Sequence, residues 1–101
     1  MSKIETTRFD AADYLSSAEE VAAYLDTYLE DGTLAELLAA LDTVARSHGM
    51  TDLAQKTGIT RAGLYKALSE HGNPSFETIQ SVLHALGLRL SVEPVDELEA
   101  A

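Results

Sequence analysis

The sequence predicts an all-α domain of five or six helices, closed by one short C-terminal β-strand. Three observations predict it. Apolar residues recur at helical spacing along nearly the whole chain, in runs that Ser or Thr opens and Gly stops. The stretch MTDLAQKTGITRAGLYKALSEHGNPS, from Met50 to Ser75, has the layout of a helix-turn-helix, a device that places one short helix in the major groove of DNA. Strict alternation, the strand signature, occurs once, in Leu88-Arg89-Leu90-Ser91-Val92-Glu93.

The elements follow in order. Phe9 to Leu15 reads as a short helical turn anchored by Phe9, Tyr14 and Leu15. Ser17 with Glu20 three residues on is a capping box. It opens a helix striped by Val21, Tyr24, Leu25, Tyr28 and Leu29, which Gly32 ends. Thr33 and Glu36 repeat the box. The next helix carries Leu34, Leu37, Leu38, Leu41, Val44 and Ala45, and Gly49 stops it.

Leu53, Ala54 and Thr57 then give a short helix ending at Gly58, where glycine supplies a left-handed stop at little steric cost. Ile59 turns inward. Thr60 is the N-cap of a second helix from Arg61 to about Ser69. Leu64, Ala67 and Leu68 share one face and pack with Ile59 on Leu53. The opposite face presents Arg61, Ala62, Tyr65, Lys66 and Ser69: a fork of donors, a small residue, a phenol, a cation and a hydroxyl, all suited to reading a groove. Gly63 is the odd residue, costing roughly 1 kcal/mol against Ala inside a helix. Ser75 caps a last helix bearing Phe76, Ile79, Val82, Leu83 and Leu86, stopped by Gly87.

The strand over residues 88–94 is alone in a helical chain, so its backbone groups must find a partner. A symmetry mate supplies an identical strand across a two-fold, which would make Leu88, Leu90 and Val92 a dimer interface. The other outcomes are fraying or pairing with the N-terminal arm.

At 101 residues the chain is one domain with room for a core that needs no staples. It has no cysteine, which excludes a disulfide framework and thiolate metal sites. No apolar run approaches the ~20 residues that span a bilayer, and no secretory signal is present, so a cytoplasmic location is expected. His48, His71 and His84 do not share a helix face at ligand spacing. No Ser/His/Asp order or Gly-rich phosphate loop occurs. The expectation is therefore no metal, no cofactor and no enzyme activity.

Charge is distributed unevenly. Residues 1–45 hold ten acids against Lys3 and Arg8, and residues 93–101 add four more acids. Residues 46–92 hold Arg46, Lys56, Arg61, Lys66 and Arg89 against Asp52, Glu70 and Glu77, so the only segment not repelled by phosphate is the one containing the helix-turn-helix. An acidic helix is often just a solvated face. An asymmetry this marked also fits a basic partner for the N-terminal half. Three regions follow: acidic helices over 1–48, a DNA-binding region over 49–87, and the strand over 88–94.

The chain resembles the probable addiction-module antidote family, a branch of the phage-repressor-like helix-turn-helix proteins. The resemblance runs from Arg8 to Pro94. It rests on Phe9-Asp10-Ala11-Ala12-Asp13-Tyr14-Leu15, Ala23-Tyr24-Leu25, Gly49-Met50-Thr51, Thr57-Gly58-Ile59-Thr60-Arg61, Leu64-Tyr65-Lys66-Ala67-Leu68, Gly72-Asn73-Pro74-Ser75-Phe76 and Ala85-Leu86-Gly87-Leu88-Arg89-Leu90. It implies a repressor-like fold with an N-terminal helical extension. It also implies an antitoxin that neutralises a small basic toxin of the RelE/ParE-like type and represses its own operon as a homodimer. Arg61, Ala62, Tyr65 and Lys66 would then meet the groove, while Thr51, Asn73 and Ser75 would hold phosphates beside Thr60 and Ser69. Phe9, Tyr14 and Leu15, rimmed by Asp10 and Asp13, would form the toxin-binding patch. Many such repressors carry a Gln in the first turn of the first motif helix. Here that place reads Gly49-Met50-Thr51-Asp52, and Asp52 would repel a nearby phosphate. The alternatives are a stand-alone helix-turn-helix regulator without a toxin, and a purely structural or adaptor helical protein.

Overall fold

The computed structural model describes residues 17–96. They form five helices: α1 (Ala18–Asp31), α2 (Leu34–His48), α3 (Met50–Thr57), α4 (Arg61–Ala67) and α5 (Phe76–Ala85). The helical turn expected over residues 9–15 lies outside the described residues.

Four of the five starts, all but that of α3, have a side-chain cap. Ser17 Oγ accepts the Glu20 N–H at 3.1 Å and opens α1. At α2 the box is complete: Thr33 Oγ1 accepts the Glu36 N–H at 3.2 Å, and the Glu36 carboxylate accepts the Thr33 N–H at 2.9 Å. Thr60 and Ser75 cap α4 and α5 in the same way, through the N–H groups of Gly63 and Thr78. Such caps contribute roughly 1 kcal/mol each, which matters most for α4, only seven residues long.

Packing organises the rest. α1 lies on α2, α2 on α3, and α3 on both α4 and α5. One apolar cluster runs through all five, from Val21 and Leu25 through Leu38, Leu41 and Val44 to Leu53, Leu64, Leu68 and Val82. Leu38, Leu53, Leu64 and Val82 are fully buried. A leucine removed from water contributes roughly 1.5–3 kcal/mol. The short α3 and α4 are therefore stable as packed elements, not as isolated helices. No polar or charged residue is buried among those described.

The structure corrects the sequence reading at four places. α4 ends at Ala67, short of Ser69, and the chain turns through residues 68–71. Leu29 and Leu34 belong to the predicted stripes but are half exposed, flanking the α1–α2 turn where no element covers them. Phe76 is also exposed. As the first residue of α5 it projects over the turn before it, where only loop lies. Finally, no strand forms among the described residues. The Leu88 N–H closes on the Leu83 carbonyl at 2.8 Å, and residues 89–96 make no further backbone–backbone bond with the described residues. Among the described residues the alternating segment has no backbone ladder partner. The alternation survives only in part: Leu88 and Leu90 lean on the core, Arg89 and Ser91 face out, but Val92 is 96% exposed.

Candidate nucleic-acid interface

The turn between α3 and α4 is set by two residues. Gly58 sits at φ 78°, in the left-handed region, and its N–H closes on Ala54 O. Thr57 donates its hydroxyl to Leu53 O at 2.7 Å and accepts the Ile59 N–H at 3.1 Å, stitching the turn to α3. Ile59 is thereby directed onto the core, and Leu64 and Leu68 anchor α4 behind it. The helix interior glycine also finds its reason. A Cβ on Gly63 would stand 3.1 Å from both Ile59 Cγ2 and Thr60 Oγ1.

With its apolar side fixed, α4 turns Arg61, Ala62 and Lys66 to solvent, and leaves Tyr65 half-buried at their edge. Arg61 and Lys66 form no ion pair among the described residues. Thr51 is exposed in the first turn of α3, and Asn73 is exposed in the loop before α5. That loop passes so close to α4 that a Cβ on Gly72 would run into the Ala67 carbonyl.

Three hydroxyls assigned to DNA from the sequence are engaged within the chain. Thr60 accepts the Gly63 N–H at 3.0 Å. Ser69 donates to Lys66 O at 2.8 Å. Ser75 accepts the Thr78 N–H and donates to Thr78 Oγ1, both at 3.1 Å. Their first role is to shape the ends of α4 and α5.

One residue was missed. Arg46, in the last turn of α2, lays its guanidinium over the Tyr65 ring, 4.8 Å from the centroid, well inside the range of a cation–π contact. Its Nε bonds Asp42 Oδ2 at 2.8 Å. That hydrogen bond and the Asp42 charge hold the guanidinium's pKa above its ordinary value. The Asp42/Arg46 spacing is visible in the sequence as an i, i+4 pair, but the stacking on Tyr65 joins two separate helices.

Asp52 is less hostile to phosphate than its position suggested. It lies 2.6 Å from His48 Nε2 and 3.2 Å from Lys56 Nζ. These bonds, from His48 first and then Lys56, hold its carboxyl below the ordinary carboxylate range. The same contact occupies Lys56.

A second surface has the opposite character. Asp26, Glu30, Asp31, Glu93 and Asp96 line a cleft of about 900 Å³ between α1 and the C-terminal segment, with Leu29 and Val95 exposed along it. Leu88 and Leu90, assigned to a dimer interface, pack on the core, while Val92 of the same set projects freely. Phe9, Asp10, Asp13, Tyr14 and Leu15 lie outside the described residues. Among the described residues no group of three or more His, Asp or Glu could hold a metal ion, and no helix is long and apolar enough to cross a membrane.

Residues 5–94 match the sequence model of a family described as "Probable addiction module antidote protein". A protein of Haemophilus influenzae (strain KW20 / Rd), described as "Uncharacterized protein", is 44% identical over 85 residues, covering 84% of this chain and 88% of that one. No solved structure matches the chain.

Proposed function

This chain belongs to the addiction-module antidote family, and from that premise we propose that it is the antitoxin of a two-protein module. In this reading it neutralises a small basic toxin of the RelE/ParE-like type and represses its own operon by sequence-specific DNA binding. The antidote assignment makes it a binding protein, not an enzyme. The observation that carries the DNA half of the reading is the α4 face. Arg61, Ala62 and Lys66 stand exposed beside Tyr65, Arg61 and Lys66 without an ion pair among the described residues, on a helix anchored from behind by Leu64 and Leu68. The Arg61 fork can span guanine O6 and N7, Ala62 permits close approach, and Lys66 can hold a phosphate. Thr51 and Asn73 flank the helix and can donate to the backbone.

The toxin half is supported by charge. The five-carboxylate cleft and the exposed Leu29 and Val95 suit a cationic protein surface: apolar contact for affinity, acids for steering. The Phe9–Leu15 patch with Asp10 and Asp13 belongs to the same acidic part of the sequence. A division of labour follows, with the acidic residues of 1–45 and of the C-terminal segment serving the toxin and the α3–α4 face serving the DNA.

Separation of function tests both halves. Arg61→Ala should weaken operator binding by about 1–3 kcal/mol and relax preference at one base pair, while toxin neutralisation stays intact. Phe9→Ala with Tyr14→Ala should do the reverse, provided the double variant melts like the wild type. If Arg61→Ala costs the same on operator and random DNA, Arg61 holds phosphate and does not read a base. A chain that binds its operator but has no basic partner encoded beside it would be a stand-alone regulator.

A further inference from the structure

We propose that Arg46 is a DNA-backbone contact, pre-set beside the recognition helix by Asp42 and Tyr65. The proposal rests on the DNA-binding reading above and adds a residue from outside the helix-turn-helix.

The geometry points this way. Arg46, at the end of α2, reaches the edge of the exposed side of α4 through the Tyr65 ring at 4.8 Å. Its Nε is committed to Asp42 at 2.8 Å. Its two terminal nitrogens have no partner among the described residues, and the side chain is 58% exposed. A long, flexible side chain normally loses much rotamer freedom when it takes hold of a ligand. Here one edge is pinned by a carboxylate and one face by a ring, so the remaining edge is already oriented. That edge is the bidentate fork that suits a phosphate.

Its position completes a deficit. α3 opens with Gly49-Met50-Thr51-Asp52, and Thr51 is its only exposed neutral donor in that turn. Lys56 is tied to Asp52. Arg46 stands four residues before the start of α3, so it brings a cation to the same end of the motif. A stacked arginine beside Tyr65 also fixes the phenol's orientation. A purely structural Arg46 would do that too, so the test must read charge at the phosphate.

The experiment measures binding of the full chain to two duplexes of equal length, over a range of salt. One carries the DNA immediately upstream of its own coding sequence, the other a random sequence. With Arg46 and Lys66 each neutralising one phosphate per protomer, a bound dimer should show a log–log salt slope of about −4. Arg46→Ala should halve that slope and weaken both duplexes alike, by about tenfold at low salt. Arg46→Lys should keep the slope, because the charge remains. Thermal melting of each variant shows that it is folded. Unchanged slope and affinity in a folded Arg46→Ala overturn the proposal. So does a loss confined to the upstream duplex with the slope unchanged, which would mean that Arg46 only positions Tyr65. Wild-type protein that binds neither duplex overturns the DNA-binding reading itself, and Arg46 with it.

Discussion

Gly58 and Gly72 bracket α4, and each should resist substitution for a different physical reason. At Gly58 the reason is backbone conformation. Its φ of 78° is left-handed, yet a Cβ there would meet nothing within 4 Å. Gly58→Ala therefore incurs only the left-handed penalty, about 1–2 kcal/mol, lessened by the narrower unfolded ensemble of Ala. A net cost of about 1 kcal/mol lowers the melting temperature of a domain this size by about 4–8 °C. Asn tolerates the left-handed region, so Gly58→Asn should recover at least half of that loss. At Gly72 the reason is space. An added Cβ would collide with the Ala67 carbonyl and come within 2.9 Å of Lys66 O, and both are backbone. The last turn of α4 or the loop must move, and the Gly72 N–H would strain its 2.9 Å bond to Ser69 O. Overpacking of this kind costs about 1–3 kcal/mol, and Asn should give no relief. Thermal unfolding followed by circular dichroism reads all four variants. The reasoning fails if Gly58→Asn melts as low as Gly58→Ala, or if Gly72→Asn melts above Gly72→Ala.

Two further outcomes can be checked with the same protein. The Asp52 carboxyl is held below its ordinary value of 3.8 in the folded chain, so its contribution to stability is present above that pH and lost as pH falls through the lowered value. Asp52→Asn should melt below wild type at about pH 6, with the gap closing by about pH 2. A constant gap would place the effect in packing. For the C-terminal segment, Ser91→Pro and Val92→Pro remove backbone donors from two exposed residues without touching the packed Leu88 and Leu90. Successive N–H groups point to opposite edges of a strand, so if the segment pairs across a two-fold, one of the two should sediment as monomer. Two intact dimers would move the interface to the helices.

What could be read from the sequence was decided by neighbours three or four residues apart. Ser17, Thr33, Thr60 and Ser75 were legible as caps because each satisfies an orphan N–H within its own first turn. Gly58 was legible as a stop because glycine takes the left-handed conformation that ends a helix at little cost. The core-facing leucines Leu38, Leu41, Leu53, Leu64 and Leu68 followed from helical period. What stayed hidden depends on how one element lies against another. Arg46 over Tyr65 needs the angle between α2 and α4. The tightness at Gly63 and Gly72 needs the path of the turn and the loop. Hydroxyls raise a different difficulty: Thr60, Ser69 and Ser75 suit a phosphate and a helix end equally well, and their own backbone claims them first. Alternation over residues 88–93 showed which side chains share a face. It carries no information on who supplies the other half of the ladder.

If the chain binds DNA as proposed, the charge balance of the α3–α4 region decides how so acidic a protein can hold it. Net charge creates a long-range field, but in physiological salt that field decays over about 8 Å. What a phosphate meets at contact is the local set of cations, less those already paired. Lys56 is spent on Asp52, and one edge of Arg46 on Asp42. Among the described residues of that region, this leaves Lys66, the free edge of Arg46, and Arg61, whose fork would go to a base in the proposed reading. Non-specific affinity scales with phosphates neutralised, so it must be low. Approach to arbitrary DNA is further discouraged by the carboxylates of α1 and the C-terminal segment. In the proposed reading, affinity for the right sequence would then come from base contacts by Arg61 and its neighbours, terms that random DNA does not supply. An acidic body with few free cations on its reading face is thus suited to discrimination between sites more than to grip. The same carboxylates that repel DNA elsewhere on the molecule remain available for a basic protein.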